Sequence, residues 1–194
     1  MSIRILAVSG SSRRGSLNQK LLDIAAYGAR DAGAVVTSIR LADYALPLYD
    51  GDDEAEQGVP AEARRLQREF AGHDALLIAT PEYNGGYTAM LKNALDWVSR
   101  PQEDGTSGVA LLAGKAAALL SASPGPLGGL RSQLALRTVL DKLGVVVIPD
   151  AFALGTAHEA FEGETGLRDK GAEKAVIQVG VALSRTAGRL SNKG

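Results

Sequence analysis

Ile3-Arg4-Ile5-Leu6-Ala7-Val8-Ser9-Gly10-Ser11-Ser12-Arg13-Arg14-Gly15-Ser16-Leu17-Asn18 is the stretch on which the fold turns. Its first half, Ile3–Val8, is a nearly continuous apolar run that predicts a strand. Its second half is rich in glycine and hydroxyls and opens onto a helical pattern over Leu17–Asp31. A strand feeding a helix through such a turn aims free backbone N–H groups at one point. The helix end adds partial positive charge, from which an anion gains ~0.3–1 kcal/mol. Ser11, Ser16 and Asn18 are candidate donors to phosphate oxygens, and Arg13 or Arg14 can add charge-assisted bonds. A capped helix start, with Ser16 or Asn18 serving only the backbone, stays open as the alternative.

Three better-known phosphate devices fail on the residues. A Walker loop needs lysine and serine or threonine after its second glycine, and Gly15 is followed by Ser16-Leu17. The dinucleotide fingerprint needs Gly-x-Gly-x-x-Gly, which Gly10-Ser11-Ser12 does not supply. A phosphoacceptor receiver would end its first strand in acidic residues, and Val8-Ser9-Gly10 has none. What survives is a monophosphate cradle built from backbone and hydroxyls.

Outward from this loop, apolar runs recur at Val35–Leu41, Asp74–Thr80, Ala116–Ser121 and Val145–Ile148. They are mostly continuous rather than alternating, as expected of parallel strands with helices on both faces. Gly33, Gly72 and Gly144 each stand before such a run, where a left-handed residue closes a helix. Helices are expected near Leu17–Asp31, Ala61–Ala71, Ala89–Arg100, Leu127–Leu143 and Lys170–Ser191. The result is α/β: one domain over residues 1–194, a doubly wound five-stranded parallel sheet in order 2-1-3-4-5, in three layers. The segment Asp43–Pro60 is long for a connector and reads equally as part of a site or as a solvated acidic loop.

A second unusual loop follows the third run: Thr80-Pro81-Glu82-Tyr83-Asn84-Gly85-Gly86-Tyr87-Thr88. Proline and glycine make it stiff and let a ligand approach the backbone. In this strand order, strands one and three are neighbours whose following connections diverge. The two loops therefore meet at the crevice where such folds take ligands.

Composition narrows the field. The chain has 194 residues, 45% apolar and 22% charged, with a net charge of −1, which offers no broad basic face for nucleic acid. It has no cysteine and two histidines, His73 and His158, so thiolate chemistry is excluded and a multi-histidine metal site is not expected. The first strand begins almost at Met1, leaving no room for a signal peptide, and no run approaches the length of a membrane span. A cytoplasmic protein with a small-molecule ligand is expected.

The motifs also carry a family likeness. Gly10–Asn18, Pro81–Gly85, Leu91-Lys92-Asn93-Ala94-Leu95-Asp96-Trp97, Ser121–Gly129 and Leu136–Leu140 together resemble the NADPH-dependent FMN reductase family, over most of the chain to about Ile148. That family includes chromate, quinone and azo-dye reductases. The resemblance implies a flavodoxin-like fold, with Ser11, Arg13, Ser16, Leu17 and Asn18 holding the FMN phosphate and ribityl chain. Pro81, Glu82, Tyr83, Asn84 and Gly85 would line the isoalloxazine, with Ser123 and Gly125 on its pyrimidine side. NADPH or NADH would be the electron donor, a small molecule the acceptor, and the assembly a homodimer or homotetramer.

Flavin carries the hard chemistry in such proteins, so no residue is assigned a catalytic role. A non-enzymatic electron carrier of the flavodoxin type is the main alternative. The near-neutral charge argues against it, because carriers dock through strongly charged faces. A serine hydrolase is disfavoured: no Gly-x-Ser-x-Gly follows a strand, and Ser123 sits in Ala122-Ser123-Pro124. Trp97 and Tyr87 read either as contacts to substrate or partner, or as ordinary packing. His158 reads as a solvated loop residue.

Overall fold

In the computed structural model of the protein, residues 2–163 and 166–191 are described. Five parallel strands form the main sheet: β1 (Arg4–Ser9), β2 (Val35–Arg40), β3 (Ala75–Ala79), β4 (Ala116–Ala122) and β5 (Val146–Leu154). Their order is β2-β1-β3-β4-β5, the flavodoxin-like order that the sequence predicts. Helices α1 (Leu17–Asp31), α2 (Gly51–Gln57), α3 (Ala61–Ala71), α4 (Ala89–Val98) and α5 (Leu130–Lys142) connect them. After β5 come α6 (Ala157–Ala160), a small hairpin of β6 (Phe161–Glu162) and β7 (Gly166–Leu167), and α7 (Lys170–Ser191). No helix among the described residues is long and apolar enough to cross a membrane.

Alternation along the strands divides the core in two. Ile5, Ala7, Leu77, Ala79, Ala118 and Leu120 face α1 and α7, while Leu6, Val8, Leu76, Ile78, Ala117 and Leu119 face α3, α4 and α5. Because β3 and β4 are buried throughout, their sequences lack the polar half of an amphipathic strand. One face is built for close approach. A Cβ on Gly180 of α7 would lie 1.9 Å from the Ala25 carbonyl oxygen of α1, and one on Gly28 would lie 2.2 Å from that of Ile177.

Two of the three expected glycine stops are left-handed: Gly33 at φ 89° and Gly144 at φ 76°. Gly72 is not; it closes α3 with φ −77° and ψ 0°. Side chains do the work there instead. His73 Nδ1 lies 2.6 Å from the Glu69 carbonyl, and Lys115 Nζ donates at 2.5 Å to that of Phe70. The freed carbonyls of the helix end are thereby satisfied without a left-handed residue. Burial draws the Lys115 ammonium below its ordinary pKa, with the nearby Asp74 carboxylate acting in the opposite sense.

Strand β5 runs past the expected Ile148. Between Val147 and Ala151 it holds two more residues than β4 does between Ala117 and Leu119, a bulge centred on Pro149 and Asp150. Helix α5 begins later than expected, because Gly128 and Gly129 are left-handed at φ 61° and 85°.

The segment Asp43–Pro60 divides. Its acidic part forms α2, which buries no residue and is capped by the Asp50 carboxylate, accepting from Asp52 N at 2.8 Å. Its first part is pinned to α4. Trp97 Nε1 and Asn93 Nδ2 each donate to the Pro47 carbonyl at 2.8 Å, and Tyr49 N donates to Asn93 Oδ1 at 2.8 Å. Tyr49 meets the Trp97 ring edge-on at 5.1 Å. Trp97 is therefore a packing residue, 1% exposed, and Tyr87 packs against the half of the core that faces α3, α4 and α5.

Gly180→Ala drives a methyl group into backbone that has no room to yield. The expected loss is at least about 2 kcal/mol of unfolding free energy, read from the urea midpoint. Gly15→Ala, whose Cβ meets nothing within 4 Å, is expected to change stability by less than about 0.5 kcal/mol.

Candidate active site

The loops leaving the carboxyl ends of β1, β3 and β4 converge on one cleft. Ser11, Arg13, Ser16, Leu17 and Asn18 form one wall, Pro81, Glu82 and Tyr83 a second, and Ala122, Ser123 and Pro124 the third. Most of the residues singled out in the sequence meet here. Asn84, Gly85 and Gly125 lie just beyond the lining, while Ala122 and Pro124 join it unforeseen.

The first wall is organised by its own hydroxyls. Ser9 Oγ accepts from Ser11 N at 3.4 Å, and Ser11 Oγ from Arg13 N at 3.3 Å. Ser16 caps α1 by accepting from Gln19 N at 3.2 Å, which leaves the amides of Leu17 and Asn18 at the open helix end. No acidic residue stands in that first turn, so the positive end of the helix is not neutralised from within. Asn18 is more occupied than a simple donor. Its Nδ2 donates to the Ala122 carbonyl at 2.9 Å, and its Oδ1 accepts from Ala122 N at 2.9 Å. This side chain ties the start of α1 to the end of β4.

The second wall is a tight hairpin. Tyr83 and Gly86 exchange both backbone hydrogen bonds, at 2.9 and 3.0 Å, around Asn84 at φ 52° and Gly85 at φ 81°. Two consecutive left-handed residues define a type I′ turn, for which Asn-Gly is the favoured pair. That pair is visible in the sequence and could have revealed the turn. Tyr83 stands 53% exposed at its base. The hairpin is sewn to the first wall by Thr88, whose Oγ1 donates to the Gly10 carbonyl at 2.8 Å and caps α4 by accepting from Leu91 N at 3.2 Å.

The third wall is braced from behind. Ser123 Oγ accepts from Gly125 N at 3.2 Å, and Ala157 N donates to the Ser123 carbonyl at 3.0 Å. A Cβ on Gly128 would lie 2.6 Å from the carbonyl carbons of Ala153 and Leu154, so only glycine fits there. Between the second and third walls lies a pair that sequence reasoning missed: Arg131 of α5 with Glu82. Arg131 Nε donates to Glu82 Oε1 at 2.8 Å, and its NH2 donates to the same oxygen. No spacing motif links residues that the topology alone brings together. His158 lies outside this lining, half-exposed and 3.2 Å from the Glu159 carboxylate.

Chemically, the cleft offers backbone donors and a helix N-terminus at one end, and a stiff hairpin with an exposed tyrosine at the other. Among the described residues, no serine–histidine pair or acid–base dyad lines it. It is suited to holding a reactive ligand rather than to performing the chemistry with side chains.

Comparison with known proteins agrees. The model of the NADPH-dependent FMN reductase family matches residues 3–159. The NAD(P)H-dependent FMN reductase PA1204 of Pseudomonas aeruginosa is 39% identical over 191 residues, covering 97% of each chain. A quinone reductase of Escherichia coli K12 is 33% identical over 168 residues, covering 84% of each. The solved structure of FerB, a flavoenzyme NAD(P)H:(acceptor) oxidoreductase from Paracoccus denitrificans, superposes with a TM-score of 0.80 at 29% identity, covering 96% of this chain and 98% of that one. The chain is thus an oxidoreductase with FMN as cofactor and NAD(P)H as donor, and it belongs to the NADPH-dependent FMN reductase family.

Proposed function

We propose that this cleft holds FMN and that the protein uses NAD(P)H to reduce small acceptors, with quinones as the leading class. Free flavins, azo compounds and chromate-like oxyanions are further acceptors of the same kind. The observation that carries this is the convergence of an uncompensated helix N-terminus with a rigid Asn84-Gly85 hairpin at the switch point of the sheet. When bound, FMN supplies two-electron hydride chemistry, which none of the lining side chains can supply.

The residues fit such a group. The amides of Leu17 and Asn18, the hydroxyls of Ser11 and Ser16, and the exposed Arg13 guanidinium would hold a phosphate. Pro81, Glu82, Tyr83, Asn84 and Gly85 would line the planar ring, with Ser123 and Gly125 on its pyrimidine side, within reach of Glu82. Asn18 would act by fixing Ala122 against the helix start, setting the spacing between the two ends of the ligand. The names of several relatives support quinones as acceptors, among them the Escherichia coli quinone reductase and a 2-hydroxy-1,4-benzoquinone reductase of Burkholderia.

A single folded unit in the cytoplasm, assembled as a dimer or tetramer, belongs to the same proposal. Leu127, Leu130 and Leu134, all exposed beside Arg131, supply an apolar surface for such an assembly.

Purified protein is expected to carry visible flavin absorbance that NADPH or NADH bleaches without another protein present. Bound flavin that NADPH alone leaves oxidised would favour a flavodoxin-type electron carrier. Protein that cannot take up added FMN would end both accounts. Arg13→Ala removes a charge-assisted bond worth about 1.5–3 kcal/mol, so the FMN dissociation constant should rise roughly ten- to hundredfold. Gly85→Val forces a β-branched residue to φ 81° and places its side chain at the ring edge. Turnover with quinone should fall sharply in that variant, and unchanged steady-state rates would move the ring elsewhere.

A further inference from the structure

Two buried side-chain oxygens among the described residues lack a hydrogen-bond partner: Gln19 Oε1 and Glu82 Oε2. Only Glu82 lines the cleft, and its side chain is 9% exposed. The gap in its bonding has a geometric cause. An arginine usually meets a carboxylate fork to fork, one nitrogen on each oxygen. Here Nε and NH2 of Arg131 both fall on Oε1, so Oε2 is left without a donor although a guanidinium is beside it. A buried anionic oxygen with no donor is a standing cost of desolvation, and such atoms are uncommon in folded proteins.

We propose that Glu82 Oε2 is an acceptor kept for a ligand N–H, and that the imide N–H of the flavin ring is the group that meets it. This rests on the FMN reading and adds to it a determinant of ring recognition. Oxidised isoalloxazine carries a single ring N–H, set between two carbonyls at the end of the ring system far from its substituted benzene edge. An acceptor is therefore what the protein must offer at that edge, and a carboxylate is the strongest acceptor among side chains. Arg131 is a positioning residue: it holds one carboxylate oxygen and leaves the other for the ligand. Its own side chain is 62% exposed, so it can follow a small rotation that brings Oε2 to an entering ring. The phosphate end would be read by the first turn of α1 and the imide end by Glu82.

The test compares two ligands that differ only at this hydrogen. Full-length wild-type protein and Glu82→Gln, both freed of flavin, are titrated with FMN and with 3-methyl-FMN, following the quenching of flavin fluorescence. Glutamine keeps the shape, and with its oxygen on Arg131 it turns an N–H toward the ligand N–H. Glu82→Gln is expected to weaken FMN binding by about tenfold or more, the worth of one hydrogen bond to a charged group. It should change 3-methyl-FMN binding by less than about threefold, since that ligand has no hydrogen to lose. Equal loss for both ligands would make the pair a structural brace or a folding requirement, and would overturn the proposal, as would no loss for either. Wild-type protein that binds neither flavin would overturn the FMN reading itself, a result separable from failure of the cycle alone.

Discussion

Parallel strands buried on both faces leave little freedom in where a ligand can sit. β1, β3 and β4 are covered by α1 and α7 on one side and by α3, α4 and α5 on the other. Polar backbone that is not paired within the sheet or a helix therefore collects at the strand ends. At the carboxyl edge, the connections after β1 and β3 leave for opposite faces, and the space between them is closed by neither. Everything described of the candidate site follows from that one gap: the open turn of α1, the hairpin at Tyr83, and the Ser123 loop that forms the far wall.

What gives the gap a definite shape is a few long-range side-chain bonds. Thr88 joins the hairpin to Gly10, and Asn18 joins α1 to Ala122. Ser132 Oγ reaches the Thr80 carbonyl at 3.2 Å, and Gln133 Nε2 reaches Ser121 Oγ at 2.7 Å, so α5 braces both loops from below. These residues are polar and buried, which is costly unless each is satisfied, and each is. Loops are ordinarily the mobile part of a protein, and here the scaffold restrains them at both ends.

The strand order and most of the cleft were legible in the sequence because they depend on local signals. Continuous apolar runs, Gly33 and Gly144, and the composition of residues 9–18 and 80–88 each report on their own neighbourhood. What stayed hidden depends on contacts distant in sequence. Gly72 looks like Gly33 and Gly144, yet His73 and Lys115 take over the helix end, and nothing near Gly72 announces Lys115. Pro149-Asp150 reads as a strand end, but the parallel pairing resumes at Ala151. Arg131 and Glu82 are 49 positions apart and meet only because α5 follows β4, next to β3. The Asp43–Pro60 segment was the least legible, since Asn93 and Trp97 hold its first part from another helix.

That last attachment has an optical consequence. The chain contains one tryptophan, and with Asn93 it grips the Pro47 carbonyl beside Tyr49. All of the indole emission of the molecule therefore comes from beneath one surface strap, in a nearly dry setting. Release of the strap alone would redden that emission while the sheet stayed intact. The protein thus carries a built-in gauge of a local event, at a point where whole-molecule probes would register nothing.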